Sequence, residues 1–461
     1  MAGIVRYGSY VPFHRLSRKA IGVGKGERAV ASFDEDAVSM AAEAAREAMH
    51  GAPSIDTLIF ATTSPPYAEK LNGATVHAAL QLPSRVRSLD LGTSSRMGLG
   101  ALLAGLDTAA AGKRALVCAG DVVIGAPGGG RESASGDGAA AFVTGPDSES
   151  AAILIGSASA TTEILDVWRL PEDRFARSWE ERFGADTLAP LVADTCARAL
   201  ADAKVQPSEL SVVIADAANA RAVAGLPKGL KLRPEQMADP LSEGVGRTGV
   251  AHALLTLARA LDNAKAGDRI LVLSLADGCD VAVFEVTNRV AAARPKHSVD
   301  AWIASKRGDL AYNSYLKWRG ILPFEPPRRP DPERPAAPPS ARHSSWKLGF
   351  VGSRCARCGT GHLPPQRVCI QCSAVDQMRD EDYADKRCTI ATYTLDHLAY
   401  SLNPPTVAGV IDFEGGGRVT CEVTDVDPST VKIGDELEMT FRRLYTGQGV
   451  HNYFWKARPR R

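Results

Sequence analysis

Four cysteines form the sharpest chemical pattern in the chain. Cys355-Ala356-Arg357-Cys358 and Cys369-Ile370-Gln371-Cys372 are two Cys-x-x-Cys knuckles on either side of a turn-rich loop, Gly359-Thr360-Gly361-His362-Leu363-Pro364-Pro365. Two short turns that each present a pair of thiolates supply four soft ligands, which closes a tetrahedral zinc site and leaves no position for water or substrate. Zinc held in this way is structural. Two disulfides or an iron site are the alternatives for the same residues. Such a ribbon has no chemistry of its own, so any activity must come from the flanking chain.

The chain has 461 residues, a formal net charge of +1 and 23% charged residues. That length predicts roughly two to four domains, and the near-neutral balance argues against the basic field that nucleic acid or a membrane surface requires. A phosphate-bearing ligand must therefore be bound locally. Of the nine cysteines, the five outside the knuckles (Cys118, Cys196, Cys279, Cys388, Cys421) show no paired spacing. Cys118 lies in the apolar run Ala115 to Ala119, where a buried reduced thiol is the ordinary reading. The first residues, Met1 to Arg6, lack the apolar core of a signal peptide, and no run of about 18 apolar residues occurs. The expectation is a cytoplasmic protein with no membrane contact.

The elements before the knuckles alternate. A helix pattern at 36–49 follows Asp34, Glu35 and Asp36, acids suited to a helix start. Strand patterns at 58–61, 86–91 and 115–118 alternate with helices near 74–82 and 98–111, the last rich in small residues. A second series, with a helix at 193–203, strands at 212–215, 270–275 and 281–286, and a helix at 250–261, repeats the plan. Alternation of this kind predicts an α/β fold with a mainly parallel, helix-covered sheet, and two similar series predict duplication.

A family resemblance is carried by Ile4 to Pro12, the acidic helix start at 34–36, Ala61-Thr62-Thr63-Ser64, the Asp90 to Ser95 elbow, Gly136-Asp137-Gly138, Ala217-Ala218-Asn219-Ala220-Arg221 and the glycine-rich turn at 244–249. Together they resemble the thiolase superfamily, in particular 3-hydroxy-3-methylglutaryl-CoA (HMG-CoA) synthase and β-ketoacyl-acyl-carrier-protein synthase III. The resemblance implies a duplicated five-layer αβαβα domain over residues 1–320, with halves at about 1–165 and 166–320. It also implies a homodimer formed through that domain, and carbon-carbon bond chemistry next to an acyl-CoA or acyl-carrier thioester.

Family members attack the thioester with a cysteine at the elbow, where a helix N-terminus stabilises the thiolate. This chain has Ser95 there. The family histidine falls on Asp216, the asparagine on Arg247 and the synthase glutamate on Thr63. A serine nucleophile needs an adjacent base, and the histidine has gone as well. Ser95, Asp216 and Arg247 are thus the candidate catalytic positions of a degenerate site, with Thr63, Asn219 and His252 as substrate-binding candidates. His252 sits on an apolar helix, where a satisfied core histidine is the commoner outcome.

Residues 321–345 are rich in proline and arginine, Pro326 and Arg329 among them, and read as an extended linker. A zinc ribbon at 346–380 follows, then short alternating strands with glycine turns at 381–461, the pattern of a small OB-type barrel. An OB barrel can bind nucleic acid, but acids such as Asp425, Asp427, Asp435, Glu436 and Glu438 outweigh clustered bases here. The ribbon, Asn403-Pro404-Pro405 and Gly434-Asp435 instead resemble the acyl-CoA-associated zinc-ribbon/OB family, whose members accompany thiolase-like proteins. Two functions follow from the resemblance. One is a non-catalytic component that works with a separate thiolase; the other is a self-sufficient acyl-CoA aldolase, retro-aldolase or acyltransferase with a rebuilt Ser/Asp/Arg site.

Overall fold

A computed structural model describes residues 1–325, 327–328 and 330–461; Pro326 and Arg329 of the expected linker lie outside the described residues. The chain divides into two units. The first comprises Met1–Ala31, Asp36–Ala74 and Pro83–Tyr312, the second Ser32–Glu35, Thr75–Leu82 and Asn313–Arg461. No helix among the described residues is long and apolar enough to cross a membrane.

The first unit is built on strands β1 (Ala2–Tyr10), β2 (Thr57–Thr62), β3 (Arg87–Gly92), β4 (Ala115–Asp121), β5 (Gly138–Pro146), β6 (Ala152–Thr161), β7 (Val212–Ala217), β8 (Arg269–Leu275) and β9 (Gly278–Val286). Their order across the sheet is β7-β8-β9-β6-β1-β5-β4-β2-β3. Each half repeats one plan. The first strand runs antiparallel to the last (β1 with β5, β6 with β9), the last antiparallel to the one before it, and that one parallel to an earlier strand. Within the sheet the halves are joined where Gly3 and Ile4 pair with Ile153 and Ala152. Duplication is therefore present, but the sheet is mixed, not mainly parallel. Between β8 and β9 lie only Ala276 and Asp277, and a connection that short joins antiparallel strands.

Four longer helices cover the strands: α1 (Ala37–Met49), α2 (Met97–Ala110), α3 (Glu181–Ala203) and α4 (His252–Asn263). Asp36 caps α1, its side chain accepting from Ser39 N while Ser39 Oγ accepts from Asp36 N, both at 2.9 Å. Small residues let α2 approach its neighbours. A Cβ at Gly98 would stand 1.9 Å from Val250 O, and one at Gly105 2.6 Å from Val117 Cγ2.

The second unit holds a three-stranded ribbon, β10 (Val351–Cys355), β11 (Gly361–His362) and β12 (Met378–Asp382), with β10 central. A closed barrel follows: β13 (Cys388–Asp396), β14 (Thr406–Phe413), β15 (Arg418–Val423), β16 (Glu436–Gly447) and β17 (Val450–Pro459) in the order β13-β14-β15-β17-β16. Along β14 the inward positions Val407, Gly409, Ile411 and Phe413 alternate with half-buried ones. The stretch expected to run extended to residue 345 contains a helix, Ala337–Arg342. Pro338 and Pro339 fall in its first turn, where their missing N–H groups would have no helical partner anyway.

Asp34 and Glu35, expected beside Asp36 at the start of α1, belong instead to a sealed ion cluster in the second unit. Arg442 reaches Asp34 at 3.2 Å, Glu35 at 2.9 Å and also Asp425, and Lys456 reaches Asp34 at 2.8 Å and Glu422 at 2.7 Å. Burial pushes the Asp34 carboxyl up, but Lys456 and Arg442 outweigh it and hold the group below the usual carboxylate range.

Candidate active site and metal centre

The site in the first unit gathers at the ends of parallel strands and the turns that follow them. β3 leads into the elbow Thr93-Ser94-Ser95, where Thr93 takes a φ of +75°, a left-handed conformation uncommon for a β-branched residue. This bend places Ser95 just before α2. Asp216 lies on β7, in register with Ser274 of β8. Arg247 follows Gly246, whose φ of +87° and tight approach to Ser135 O require glycine. Backbone bonds from Arg247 N to Ala134 O and from Gly136 N to Arg247 O, both 2.9 Å, pin the turn.

These three candidates come together. Arg247 Nε donates to Asp216 Oδ1 at 2.6 Å, and its Nη2 donates to Asp216 Oδ2 at 3.1 Å and to Ser95 Oγ at 3.0 Å. Ser274 Oγ adds a longer bond to Asp216 Oδ2, 3.4 Å. The result is a two-pronged guanidinium-carboxylate pair with the serine hydroxyl on the same fork. Among the described residues, Ser95 Oγ has no acceptor that would take its proton, and an arginine cannot serve as a base.

The other candidates are committed elsewhere. Thr63 N and Oγ1 both donate to Asp121 at 2.7 Å. Asn219 Nδ2 donates to Glu181 O at 2.7 Å, while its Oδ1 caps the short helix Ala220–Val223 through Arg221 N. His252 is buried, accepts from Thr248 N at Nδ1 (3.3 Å) and bonds the Pro240 backbone; burial, its largest influence, lowers its pKa. That is the satisfied core histidine.

Residues passed over in the sequence also shape the site. Asp121, at the end of β4, accepts from Thr62 Oγ1, from the backbone and hydroxyl of both Thr63 and Ser64, and from Val250 N. It ties the turn carrying Arg247 to the strand ends. A Cβ at Gly249 would lie 2.2 Å from Asp121 Oδ2, so only glycine fits there. Arg131, on the helix Gly130–Ala134, stands one turn before Ser135, the bridge partner of Arg247. A lone acid at a strand end and a lone arginine near a Gly-rich loop gave no spacing signal.

In the second unit the four knuckle cysteines converge, with all four Sγ atoms within 4.8 Å of one another. Cys355 and Cys372 sulfurs are 3.7 Å apart, and those of Cys358 and Cys369 3.5 Å. A tetrahedron with Zn–S bonds of about 2.3 Å has edges of about 3.8 Å, so the donor set fits zinc. Each knuckle closes as one turn, Gly359 N to Cys355 O and Ser373 N to Cys369 O. The buried cluster beside the thiols is only Cys355, Cys369 and Ala374, with Cys372 and Met378 against it. So small a core needs a cross-link.

Known proteins fit both units. Residues 200–285, which carry Asp216 and Arg247, match the model of the 3-oxoacyl-[acyl-carrier-protein] synthase III C-terminal domain. Residues 381–442 match the ChsH2 C-terminal OB-fold domain. The chain joins a domain of thiolase-like α/β fold to an OB-fold domain. Over 339 residues this chain is 29% identical to the hydroxymethylglutaryl-CoA synthase of Pyrococcus furiosus, covering 70% of the chain and 93% of that protein. It is likewise 29% identical over 344 residues to the hydroxymethylglutaryl-CoA synthase of Methanopyrus kandleri, covering 70% and 98%. Among solved structures, MvaS in complex with 3-hydroxy-3-methylglutaryl coenzyme A aligns with TM-score 0.60 and 19% identity over 72% of this chain and 94% of that one. Synthase III (FabH) from Pseudomonas aeruginosa PAO1 aligns with TM-score 0.56 and 21% identity, covering 62% and 98%. The first unit is thus HMG-CoA synthase-like and synthase III-like in fold.

Proposed function

We propose that this protein is the synthase-like component of an acyl-CoA or acyl-carrier system that forms or cleaves carbon-carbon bonds. In this reading it holds the thioester beside Ser95 without becoming acylated, and a separate thiolase supplies the sulfur nucleophile. One observation carries the reading: Arg247 occupies Ser95 and Asp216 together, so the serine has no base and the carboxylate is already paired. The names of the relatives support the ligand class, since they are hydroxymethylglutaryl-CoA synthases and one aligned structure holds 3-hydroxy-3-methylglutaryl coenzyme A.

The remaining parts of the reading rest on separate features. Cys355, Cys358, Cys369 and Cys372 would hold a zinc ion whose contribution is a cross-link that keeps the ribbon folded. Among the described residues strand β3 pairs only with β2 and lies at the end of the sheet order, so a second copy docking edge to edge suits a homodimer. Unpaired cysteines suit a reducing cytoplasm.

The self-sufficient aldolase reading has one observation in its favour: Asp216 is buried beside a cation able to stabilise an enolate. Against it, both Asp216 oxygens already accept N–H bonds from the Arg247 guanidinium. Assaying thioester condensation and cleavage by the chain alone, and mixed with a thiolase, separates the two. Activity only in the mixture, kept in Ser95→Ala, is expected; activity of the isolated chain that disappears in Asp216→Asn overturns the proposal.

A further inference from the structure

The chain between β6 and α3 folds as a short hairpin, Val167–Trp168 paired with Arg177–Ser178. Leu165, Leu170, Trp179 and Phe183, on this hairpin and the first turn of α3, are exposed to between 45% and 56%. Trp168 pairs with Arg177, so Trp179, two residues further on, comes to the same face of the hairpin as Trp168. The Trp179 and Phe183 rings lie against each other, their centroids 6.0 Å apart. A single apolar side chain in water is ordinary, whereas touching aromatic rings that both stay half in water mark a surface kept open for binding.

Both ends of the hairpin are fixed to the Ser95 site. At its root Arg96, the residue after Ser95, donates from Nη1 to Ala160 O at 2.6 Å and from Nη2 to Thr161 Oγ1 at 3.2 Å. Where the hairpin returns into α3, Glu181 O accepts from Nδ2 of Asn219, three residues beyond Asp216, at 2.7 Å. Trp179 N donates to Asp166 O at 3.3 Å. The buried carboxyl of Asp166 is hydrogen-bonded by Asn219 and lies within electrostatic reach of Arg247. The elbow and the end of β7 thus hold the aromatic pair from two sides.

We infer that this hairpin receives the acyl group of the thioester held beside Ser95, and that the group is bulky and apolar, an alicyclic or aromatic ring. The inference rests on the thioester-binding reading and adds the ligand class to it. An apolar ring laid on Trp179 and Phe183 removes its own face and theirs from water together. An acetyl group offers one methyl and leaves the rings as wet as before.

The test compares ligands that share the coenzyme and differ in the acyl group. Calorimetric titration of the full chain with cyclohexanecarbonyl-CoA, acetyl-CoA and free coenzyme A reads the effect as a ratio of affinities. Wild type is expected to bind the cyclohexane ester about 10- to 100-fold more tightly than acetyl-CoA, the range for burying about two to four further methylene groups. In the double variant Trp179→Ser, Phe183→Ser the ratio falls towards one, and in Trp179→Leu, which keeps an apolar side chain without the ring, it lies between. Equal binding of the two esters by wild type overturns the acyl class while leaving the thioester reading in place. A preference that survives in the double variant puts the acyl group elsewhere and overturns the hairpin assignment. A loss in the double variant shared equally by both esters and free coenzyme A assigns the rings to the coenzyme and also overturns it. So does a wild-type dimer that the double variant dissociates in sedimentation, since the rings then belong to a second copy. Failure of all three ligands to bind wild type removes the thioester reading, and the acyl class with it.

Discussion

Two arginine-centred clusters, one in each unit, use the same groups to different ends. Arg442 is wholly enclosed and faces Asp34, Glu35 and Asp425, with Lys456 adding a second cation between Asp34 and Glu422. Arg247 keeps 19% of its side chain exposed and satisfies one acid and one hydroxyl. In the sealed cluster each cation meets at least two carboxylates, which is what burial demands of charge that does no work. In the open cluster one cation meets one carboxylate and one hydroxyl and stays partly in water. The number of carboxylates and the exposure of the cation separate the two networks where residue types alone do not.

The largest expected effect lies outside both clusters and sets the scale for them. Stripping zinc with a strong chelator, or replacing Cys369 with serine, should unfold the ribbon, because a structural zinc contributes on the order of 10 kcal/mol of apparent binding energy. Metal analysis should find about one zinc per chain, and proteolysis should cut the ribbon once the metal is gone.

Breaking the sealed cluster comes next. Arg442→Met leaves carboxylates buried without their cation and should destabilise the second unit by about 3–5 kcal/mol, read by denaturant titration. The Asp34 carboxyl is held below its unfolded value, so its contribution is complete above about pH 4 and is lost as the pH falls further. Asp34→Asn should therefore flatten the acid limb of the stability-pH curve.

Arg247→Met makes the matching cut in the first unit, where one buried carboxylate loses its guanidinium rather than three. We expect a smaller loss, about 1–3 kcal/mol. A loss as large as that of Arg442→Met would erase the distinction between the clusters. Smallest of all, Ser95→Ala should change stability by less than about 0.5 kcal/mol. Intact mass after incubation of the wild-type chain with an acyl-CoA should show no acyl adduct.

The strand and helix alternation of the first unit was legible because buried strands and amphipathic helices leave short-range periodicity. Strand direction was less so, although the two residues between β8 and β9 already required an antiparallel return. Ser95, Asp216 and Arg247 were found as positions that depart from a family pattern, and the fold does bring them together. Asp34 was misread: adjacent to a helix start, it looked like a helix-dipole acid, yet its partners are Arg442 and Lys456, some four hundred residues away in the chain. Asp121 and Arg131 were missed because their meaning lies entirely in what surrounds them.

By itself the sequence determined the knuckles, since four thiols at that spacing are a local fact, along with the duplicated α/β plan and the departure from cysteine at Ser95. Only the tertiary structure decided that Arg247 bridges Ser95 and Asp216, that Asp121 is spent on six donors and that Asp34 faces Arg442 and Lys456. Ligand spacing within a turn is set by a few adjacent bonds, whereas the balance of charge in a pocket depends on which distant segments the fold brings within reach.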